Sequence, residues 1–184
     1  MSLTSVDQTL IERLQAALPG PAFREVSPGY LQEPRGRWAG QAGLVVAPET
    51  VDQVSQVVCI CAQAGVPVVP YGGGTGLVGG QILSDGPAPV LLSLERMTRL
   101  RAVYPQENIL IAEAGAILAD VHAGAAAVDR IYPLTIAAKG SARVGGLLAT
   151  NAGGVNVLRY GNARDLCLGL EAVLPDGQIW HGLR

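Results

Sequence analysis

Charged residues, lysines and cysteines are all scarce in this sequence of 184 residues. Charged side chains make up 15% of the chain against 49% for hydrophobic residues, and the formal net charge is −2. This balance predicts a folded protein with a substantial core, and it argues against nucleic acid or an anionic membrane as the main partner. The length predicts one domain or two small lobes.

The small number of cysteines limits which metal or disulfide sites the chain can form, and the lack of long apolar runs bears on its cellular location. Cys59, Cys61 and Cys167 are too few for a disulfide framework or a zinc site, so we interpret them as core thiols of a reducing compartment and expect no metal. There is no signal peptide and no apolar run long enough to span a membrane. These absences predict a cytoplasmic protein without a membrane span.

Glycine is abundant instead, with 24 residues, and six of them fall between Gly72 and Gly80, directly after a β-branched run. Glycine can adopt positive φ, which we expect at Gly74 and Gly76 in particular. Successive amide N–H groups can then turn toward one anion, and phosphate is the usual occupant of such a concave site. The glycine loop, residues 72–80, is therefore predicted to bind phosphate groups through its backbone.

Three other interpretations of the glycine loop fit less well. A nucleoside-triphosphate P-loop requires G-x-x-x-x-G-K-[ST], and no lysine precedes Lys139. A dinucleotide fingerprint is formally present from Gly74 to Gly79, but a predicted strand and helix precede it and no helix follows it. A flexible linker would be polar and serine-rich, whereas this loop is apolar between its glycines.

The hydrophobic pattern predicts an α+β fold, in which a small α/β (βαβ) lobe is followed by an antiparallel-sheet lobe with covering helices. Residues 1–43 are predicted to form an N-terminal helix and a covering segment. Residues 44–88 would form the βαβ lobe with the glycine loop. Residues 89–184 would form the antiparallel lobe, incomplete at its C-terminal end.

Within the βαβ lobe, a strand at 44–47 is followed by a helix with Thr50 as its N-cap and Gly65 as its end, and a second strand at 66–70 leads into the glycine loop. The antiparallel lobe would consist of strands at 90–94, 101–104 and 109–113, a helix at 117–127 and a hairpin that turns at 175–177.

A second dense segment, residues 139–154, consists mostly of small side chains. A planar ligand or another backbone could lie against it. Ser141, Thr150 and Asn151 offer hydroxyl and amide groups of the kind that orient a ring system. Tight helix packing would explain the alanines and glycines but not these three polar residues, so the pattern favours contact with a ligand.

Four motifs in order resemble the FAD-binding domain of the vanillyl-alcohol oxidase / p-cresol methylhydroxylase superfamily. The closest similarity is to the branch of the glycolate oxidase D-subunit, D-lactate dehydrogenase and D-2-hydroxyglutarate dehydrogenase. The resemblance covers residues 37 to 180 or so and implies an FAD-binding PCMH-type fold. The motifs are Pro70-Tyr71-Gly72-Gly73-Gly74-Thr75-Gly76-Leu77, Gly145-Gly146 with Ala149-Thr150-Asn151-Ala152-Gly153-Gly154, Arg159-Tyr160-Gly161 and Val173-Leu174-Pro175-Asp176-Gly177.

This resemblance also implies which residues contact FAD. The pyrophosphate would be held by the first set, which is Pro70, Gly72, Gly73, Gly74, Thr75, Gly76 and Leu77. The cofactor would be lined by the second set, Gly140, Ser141, Gly145 and Gly146, and the flavin ring approached by Thr150, Asn151, Gly153 and Gly154. Some family members attach the flavin through a histidine in the first loop, and since none stands there in this chain, the implied link is non-covalent.

Members of this family continue with the rest of the flavin domain, a substrate-binding cap and a histidine-bearing catalytic region. His122 and His181 do not stand in matching positions, so no catalytic residue is assigned. We expect the N-terminal, truncated part of an oxidoreductase, inactive by itself. A small 2-hydroxy acid would bind only in a full-length relative, and further subunits stay open as partners.

Two other classes of function stay open. UDP-N-acetylenolpyruvylglucosamine reductase shares the fold but is less similar between Thr150 and Gly154, and NADPH-dependent reduction would identify it. A non-catalytic flavin-binding module would act only with a second chain.

Overall fold

The computed structural model describes residues 3–183, and the chain divides into two compact units, Met1–Arg96 with Gly169–Arg184, and Met97–Leu168. The α-helices are α1 (Gln8–Ala17), α2 (Pro28–Leu31), α3 (Val51–Ala64), α4 (Leu118–Ala126), α5 (Val144–Ala149) and α6 (Val157–Tyr160). The strands are β1 (Phe23–Arg24), β2 (Leu44–Val46), β3 (Val68–Tyr71), β4 (Val90–Ser93), β5 (Leu100–Tyr104), β6 (Ile109–Ala112), β7 (Glu171–Val173) and β8 (Ile179–His181). Among the described residues, no helix is both long and apolar enough to cross a bilayer.

The first unit is built on a four-stranded sheet with the order β1-β2-β4-β3. β2 and β3 each pair in parallel with β4, and β1 pairs antiparallel with β2. All four residues of β4 are buried, and the first three, Val90 to Leu92, are apolar, as expected of a strand covered on both faces. The predicted βαβ unit is present, with β4 inserted between its two strands, and the glycine loop leaves the carboxyl end of β3.

Helix α3 begins and ends where the sequence predicts. The Thr50 side chain accepts a hydrogen bond from Gln53 N at 3.2 Å, and Gln53 Oε1 accepts one from Glu49 N at 2.8 Å. Gly65 follows the helix with a φ of 68°, a left-handed conformation that glycine adopts without strain. Both terminal predictions are confirmed because each depends on residues only a few positions apart.

The division of the chain differs from the predicted lobes. Residues 90–94 were expected in the antiparallel lobe, but β4 lies at the centre of the first sheet. The hairpin of β7 and β8 also belongs to the first unit, where Ser55 Oγ donates to Gly177 O at 2.5 Å. A short apolar run does not show whether its partners are parallel or antiparallel, so pattern alone could not place β4.

The second unit has less regular structure than the predicted antiparallel lobe. β5 and β6 form an antiparallel hairpin, and α4 packs against β5. A separate hydrophobic core forms where α4 and α5 meet the connecting segments, and its buried members are Leu118, Leu134, Ala142, Leu147 and Ala163. This core fixes the segment 139–154, which contains half of the predicted site.

Candidate functional site

The glycine loop combines strained backbone positions with partial burial. Gly74 has a φ of 68° and Gly79 a φ of 77°. Gly76 does not have positive φ, which corrects the expectation for this residue, and a Cβ there would instead lie 2.9 Å from Gln81 Oε1. Residues 72–76 are half-buried, whereas Leu77 and Val78 are exposed.

The loop is held through its carbonyl oxygens and not through its amides. Gln81 Nε2 donates to Gly76 O at 2.8 Å, and Ile82 N donates to Gly79 O at 2.9 Å. No amide N–H from Gly72 to Gly80 donates to an acceptor within residues 3–183. Half-buried amides are normally paired, so these open N–H groups are suited to donate to an anion.

The covering segment, residues 28–43, packs on the far end of the glycine loop. The ring of Trp38 lies 3.5 Å from the position that a Cβ at Gly79 would take. Gln41 N donates to Leu83 O at 3.0 Å. This role of Trp38 was missed at the sequence level, since a single tryptophan in a turn-rich segment gives little signal of what it touches.

Glu33 closes the turn inside the covering segment. Its side chain is buried and accepts hydrogen bonds from Arg35 N at 2.9 Å and Arg37 N at 2.6 Å. Burial by itself raises the pKa of Glu33, but the two backbone hydrogen bonds and the nearby arginines outweigh it and lower the pKa. The charged carboxylate therefore stabilises the turn at residues 33–37, which precedes Trp38.

The second segment, residues 139–154, uses its glycines for close approach. Gly145 N donates to Ala114 O at 2.7 Å, and a Cβ at Gly145 would lie 3.0 Å from Ala114 Cβ. A Cβ at Gly154 would collide with the carbonyl oxygen of Thr135. By contrast, nothing lies within 4 Å of the positions that a Cβ would take at Gly140 and Gly146, so both residues leave an open face.

The polar residues of this segment have partners inside the chain. Thr150 Oγ1 donates to Gly146 O at 3.0 Å, and Asn151 Oδ1 accepts from Arg164 N at 3.0 Å. Asn151 also has a φ of 50°, a conformation that asparagine tolerates better than most residues. Hydrogen bonds within the chain therefore offer a second explanation for Thr150 and Asn151, two of the three polar residues expected to contact a ligand. The third, Ser141, is exposed.

An open groove of about 510 Å³ borders the second segment. Its volume is within the range of small-molecule sites. Of the predicted flavin contacts, Gly154 lines this groove. The lining residues are Thr135, Ile136, Ala137, Lys139, Gly154 and Val155.

The predicted contacts thus fall into two groups. Those from Pro70 to Leu77 lie together in the first unit, and those from Gly140 to Gly154 lie together in the second. No cluster of three or more histidine, cysteine, aspartate or glutamate side chains suited to a metal ion occurs among residues 3–183.

Glu113 is the buried acidic group of the second unit. Arg99 donates to it from Nε at 3.0 Å, from Nη2 at 2.8 Å and from its backbone N at 2.9 Å. Arg101 Nε lies 3.6 Å away. Burial raises the pKa of Glu113, but these hydrogen bonds and charges prevail and hold the pKa below its usual value.

Proteins with similar sequences are named as dehydrogenases or transhydrogenases of 2-hydroxy acids. The chain is 38% identical to the D-2-hydroxyglutarate–pyruvate transhydrogenase DLD3 of Saccharomyces cerevisiae over 78% of its own length and 28% of that protein. It is 35% identical to the mitochondrial D-2-hydroxyglutarate dehydrogenase of Danio rerio, over 100% of the chain and 34% of that protein. The chain spans about a third of the length of these curated relatives.

Solved structures share the fold. An alkyldihydroxyacetonephosphate synthase superposes with a TM-score of 0.84 over 100% of this chain and 39% of its own, at 19% identity. The grass pollen allergen Phl p 4, which has glucose dehydrogenase activity, superposes with a TM-score of 0.79 at 17% identity, over 93% of this chain and 37% of its own. At these identities the likeness shows the fold alone, and the predicted α+β fold class is confirmed.

Residues 42–182 match the family described as the FAD binding domain. The open donors of the glycine loop suit the phosphate groups of such a cofactor. The chain therefore belongs to the FAD binding domain family, and FAD is its cofactor.

Proposed function

We propose that this chain is the FAD-binding part of an oxidoreductase that oxidises a small D-2-hydroxy acid of the glycolate or D-lactate type. Support comes from relatives at 35–38% identity, which are named as D-2-hydroxyglutarate and D-lactate dehydrogenases. Because the chain spans about a third of their length, the proposal assigns cofactor binding to it, and leaves the acid and any further subunits to the whole protein.

The proposal rests on the amides of the glycine loop. From Gly72 to Gly80 they find no acceptor among residues 3–183, although residues 72–76 are half-buried. A hydrogen bond to a charged group contributes roughly 1.5–3 kcal/mol, so several amides could hold a pyrophosphate without a lysine. We assign the pyrophosphate to Pro70 and to the residues from Gly72 to Leu77.

The second segment would provide contacts for the rest of the cofactor. Gly140 and Gly146 have open faces, and Gly154 lines the groove, so these three positions present no side chain of their own to a flat ring. Asn151 uses its Oδ1 for Arg164 N, which leaves Nδ2 as the donor for a ring atom. We assign Gly140, Ser141, Gly145 and Gly146 to lining the cofactor, and Thr150, Asn151, Gly153 and Gly154 to the ring.

The proposed link to the flavin is non-covalent. The residues from Pro70 to Gly80 include no histidine, the residue through which the resemblance would place a covalent link. His122 lies on α4, and its Nε2 donates to Leu134 O at 2.8 Å. Acid precipitation of the yellow complex should release all flavin into the supernatant, and flavin retained on the polypeptide would contradict this proposal.

Substrate oxidation needs more than these residues provide. Bound FAD supplies the hydride acceptor, but a base must also take the hydroxyl proton. The lowered pKa of Glu113 makes it a weak base at neutral pH, and His122 is committed to a carbonyl. We therefore propose that the chain by itself does not turn over D-lactate, D-glycerate, D-2-hydroxyglutarate or glycolate. Reduction of an artificial acceptor above the free-flavin background would contradict this.

The cellular location is a separate question. The cysteine usage predicts a reducing compartment. Several eukaryotic relatives are named as mitochondrial proteins. We propose a cytoplasmic location, which fractionation of the native source would test.

The pyrophosphate assignment is tested by titrating the chain with FAD, ADP and riboflavin. In Gly74→Ala, left-handed strain of about 1–2 kcal/mol adds to a collision with the Tyr71 hydroxyl. We expect the affinity for FAD and ADP to fall at least about tenfold, while riboflavin, which lacks the pyrophosphate, binds as before. Gly80→Ala is the matched control, because nothing lies within 4 Å of its Cβ position. Unchanged ADP affinity in folded Gly74→Ala would overturn the assignment.

A further inference from the structure

Tyr71 is the last residue of β3, and its side chain lies beneath the loop that follows it. Its hydroxyl donates to Gly29 O in the covering segment at 2.9 Å. The same hydroxyl lies against Gly74, at the place where a Cβ would be, and Tyr71 Cζ is 3.0 Å from that place. Gly74 therefore lies against the hydroxyl end of the Tyr71 side chain.

Tyr30 connects Tyr71 to a charged group. The two rings meet edge to face, with centroids 5.2 Å apart and an interplanar angle of 71°, a favourable aromatic geometry. The Tyr30 hydroxyl donates to Glu95 Oε2 at 2.8 Å. Tyr30 lies on α2, so this contact also positions the carbonyl of Gly29, which receives the Tyr71 hydroxyl.

Glu95 joins this group to the sheet. Ser93 is fully buried at the end of β4 and donates from Oγ to Glu95 Oε2 at 3.0 Å. Arg24 at the end of β1 donates from Nε to Glu95 Oε1 at 2.8 Å. A continuous set of contacts thus runs from two strands of the sheet through Glu95, Tyr30 and Tyr71 to the backbone of Gly74.

The charges of this set are fixed at neutral pH. Burial and the hydrogen bond to Glu95 raise the pKa of Tyr30 to about 12, so its hydroxyl stays a donor. Burial acts to raise the pKa of Glu95, but hydrogen bonds from Arg24, Tyr30 and Ser93 outweigh it and lower the pKa. The carboxylate therefore stays charged and keeps accepting from its donors.

We propose that Tyr71 is a positioning residue for the pyrophosphate-binding loop, and that Tyr30 and Glu95 hold it in that role. The proposal rests on the assignment of pyrophosphate to the glycine loop. Tyr71 sets where the backbone of Gly74 lies, and so sets the direction of the neighbouring amides. Without the hydrogen bond from the Tyr71 hydroxyl to Gly29 O, the glycine loop samples several backbone conformations. Its amide N–H groups must then be ordered when the ligand binds, which lowers the affinity.

The conservative variant Tyr71→Phe tests this directly, because it keeps the ring and removes the anchoring hydroxyl. We expect calorimetric titration to show a loss of affinity of about three- to tenfold for both FAD and ADP. Riboflavin, which has no pyrophosphate, should bind unchanged. Tyr30→Phe and Glu95→Gln should each cause a loss of about threefold in the same pattern, because they act through Tyr71.

Two matched variants control for general effects. Tyr104→Phe removes a hydroxyl from a tyrosine that is 46% exposed in the second unit. Glu49→Gln breaks the ion pair with Arg96 Nη2 at 2.6 Å, which lies in the first unit and includes none of Tyr71, Tyr30 and Glu95. Both should bind FAD, ADP and riboflavin like the wild-type chain.

The outcomes separate this inference from the assignment on which it rests. Wild-type ADP affinity in Tyr71→Phe, together with a loss in Gly74→Ala, would overturn the positioning role and leave the pyrophosphate assignment intact. An equal loss of ADP and riboflavin binding with a lowered melting temperature would mean a purely structural role and would also overturn the inference. Unchanged ADP binding in Gly74→Ala would remove the assignment itself.

Discussion

The two glycine-rich segments have similar compositions but use their backbones in opposite ways. In the glycine loop, no amide from Gly72 to Gly80 donates within the described chain. In the segment 139–154 most of the amides outside α5 are already engaged, as when Ser141 N donates to Ala138 O at 2.9 Å and Ala152 N to Leu147 O at 2.8 Å. The two segments therefore differ in their available N–H groups and not in their glycine content.

The glycines themselves are required for different reasons. Gly74 and Gly79 have positive φ, which a side chain would strain. Gly145 and Gly154 have no positive φ but lie against other parts of the backbone. The first segment thus depends on conformation and the second on close packing, and this difference predicts separate effects of substitution.

The largest effect on the free energy of unfolding is expected from a substitution of Glu113. Its neighbour Ala114 accepts the hydrogen bond from Gly145 N, so Glu113 adjoins the segment 139–154. Glu113→Gln removes the charge that Arg99 and Arg101 face in a buried position. Weaker hydrogen bonds from Arg99 to the buried side chain should cost about 2–3 kcal/mol in the free energy of unfolding, measured with urea. A loss below about 1 kcal/mol would show that the buried charge is not important for the second segment.

The same variant predicts a pH dependence. The folded chain lowers the pKa of Glu113 below the 4.5 of an unperturbed glutamate. The stabilisation by its charge is therefore complete above about pH 4.5 and is lost as the pH falls through the folded pKa. The stability difference between wild type and Glu113→Gln should therefore shrink between about pH 5 and pH 3. A difference that stays constant over this range would contradict the assigned charge.

A second effect should separate two glycines of the same segment. Gly154→Ala places a methyl group against the Thr135 backbone, which cannot move aside, and should cost about 1–3 kcal/mol. Gly146→Ala lies within α5 with open space around it and should stabilise the chain by about 0.5–1 kcal/mol. Thermal unfolding of the two variants checks this, and shifts of the same sign would break the comparison.

A smaller effect is expected in the glycine loop. At Gly79 a Cβ has ordinary contact with Trp38 at 3.5 Å, so Gly79→Ala should cost only the left-handed strain of about 1–2 kcal/mol. Gly80→Ala should change the free energy of unfolding by less than about 0.5 kcal/mol. Equal effects at the two positions would mean that φ does not distinguish them.

Local signals in the sequence predicted the parts that local interactions determine. The caps of α3 at Thr50 and Gly65 depend on hydrogen bonds within a few residues. The glycine loop was predicted from its glycine density and from the strand that precedes it. The position of β4 was not predicted, because parallel pairing joins strands that are far apart in the sequence.

The site shows the same limit. Thr150 and Asn151 were predicted as ligand contacts, but their partners Gly146 and Arg164 show that they also stabilise the chain. Similarly, the contact between Tyr71 and Gly74 has no signature in the pattern of residue types. Residue types show which groups are present, whereas the partners of those groups depend on the folded arrangement.

The most direct test of the pyrophosphate assignment is a titration of the ¹⁵N-labelled chain with ADP, followed by amide chemical shifts. The account predicts that the largest shifts occur at the amides from Gly72 to Leu77, whose N–H groups have no acceptor among residues 3–183. The engaged amides of Ser141, Gly145 and Ala152 should shift little. Large shifts confined to residues 139–154, with an unchanged glycine loop, would contradict the account.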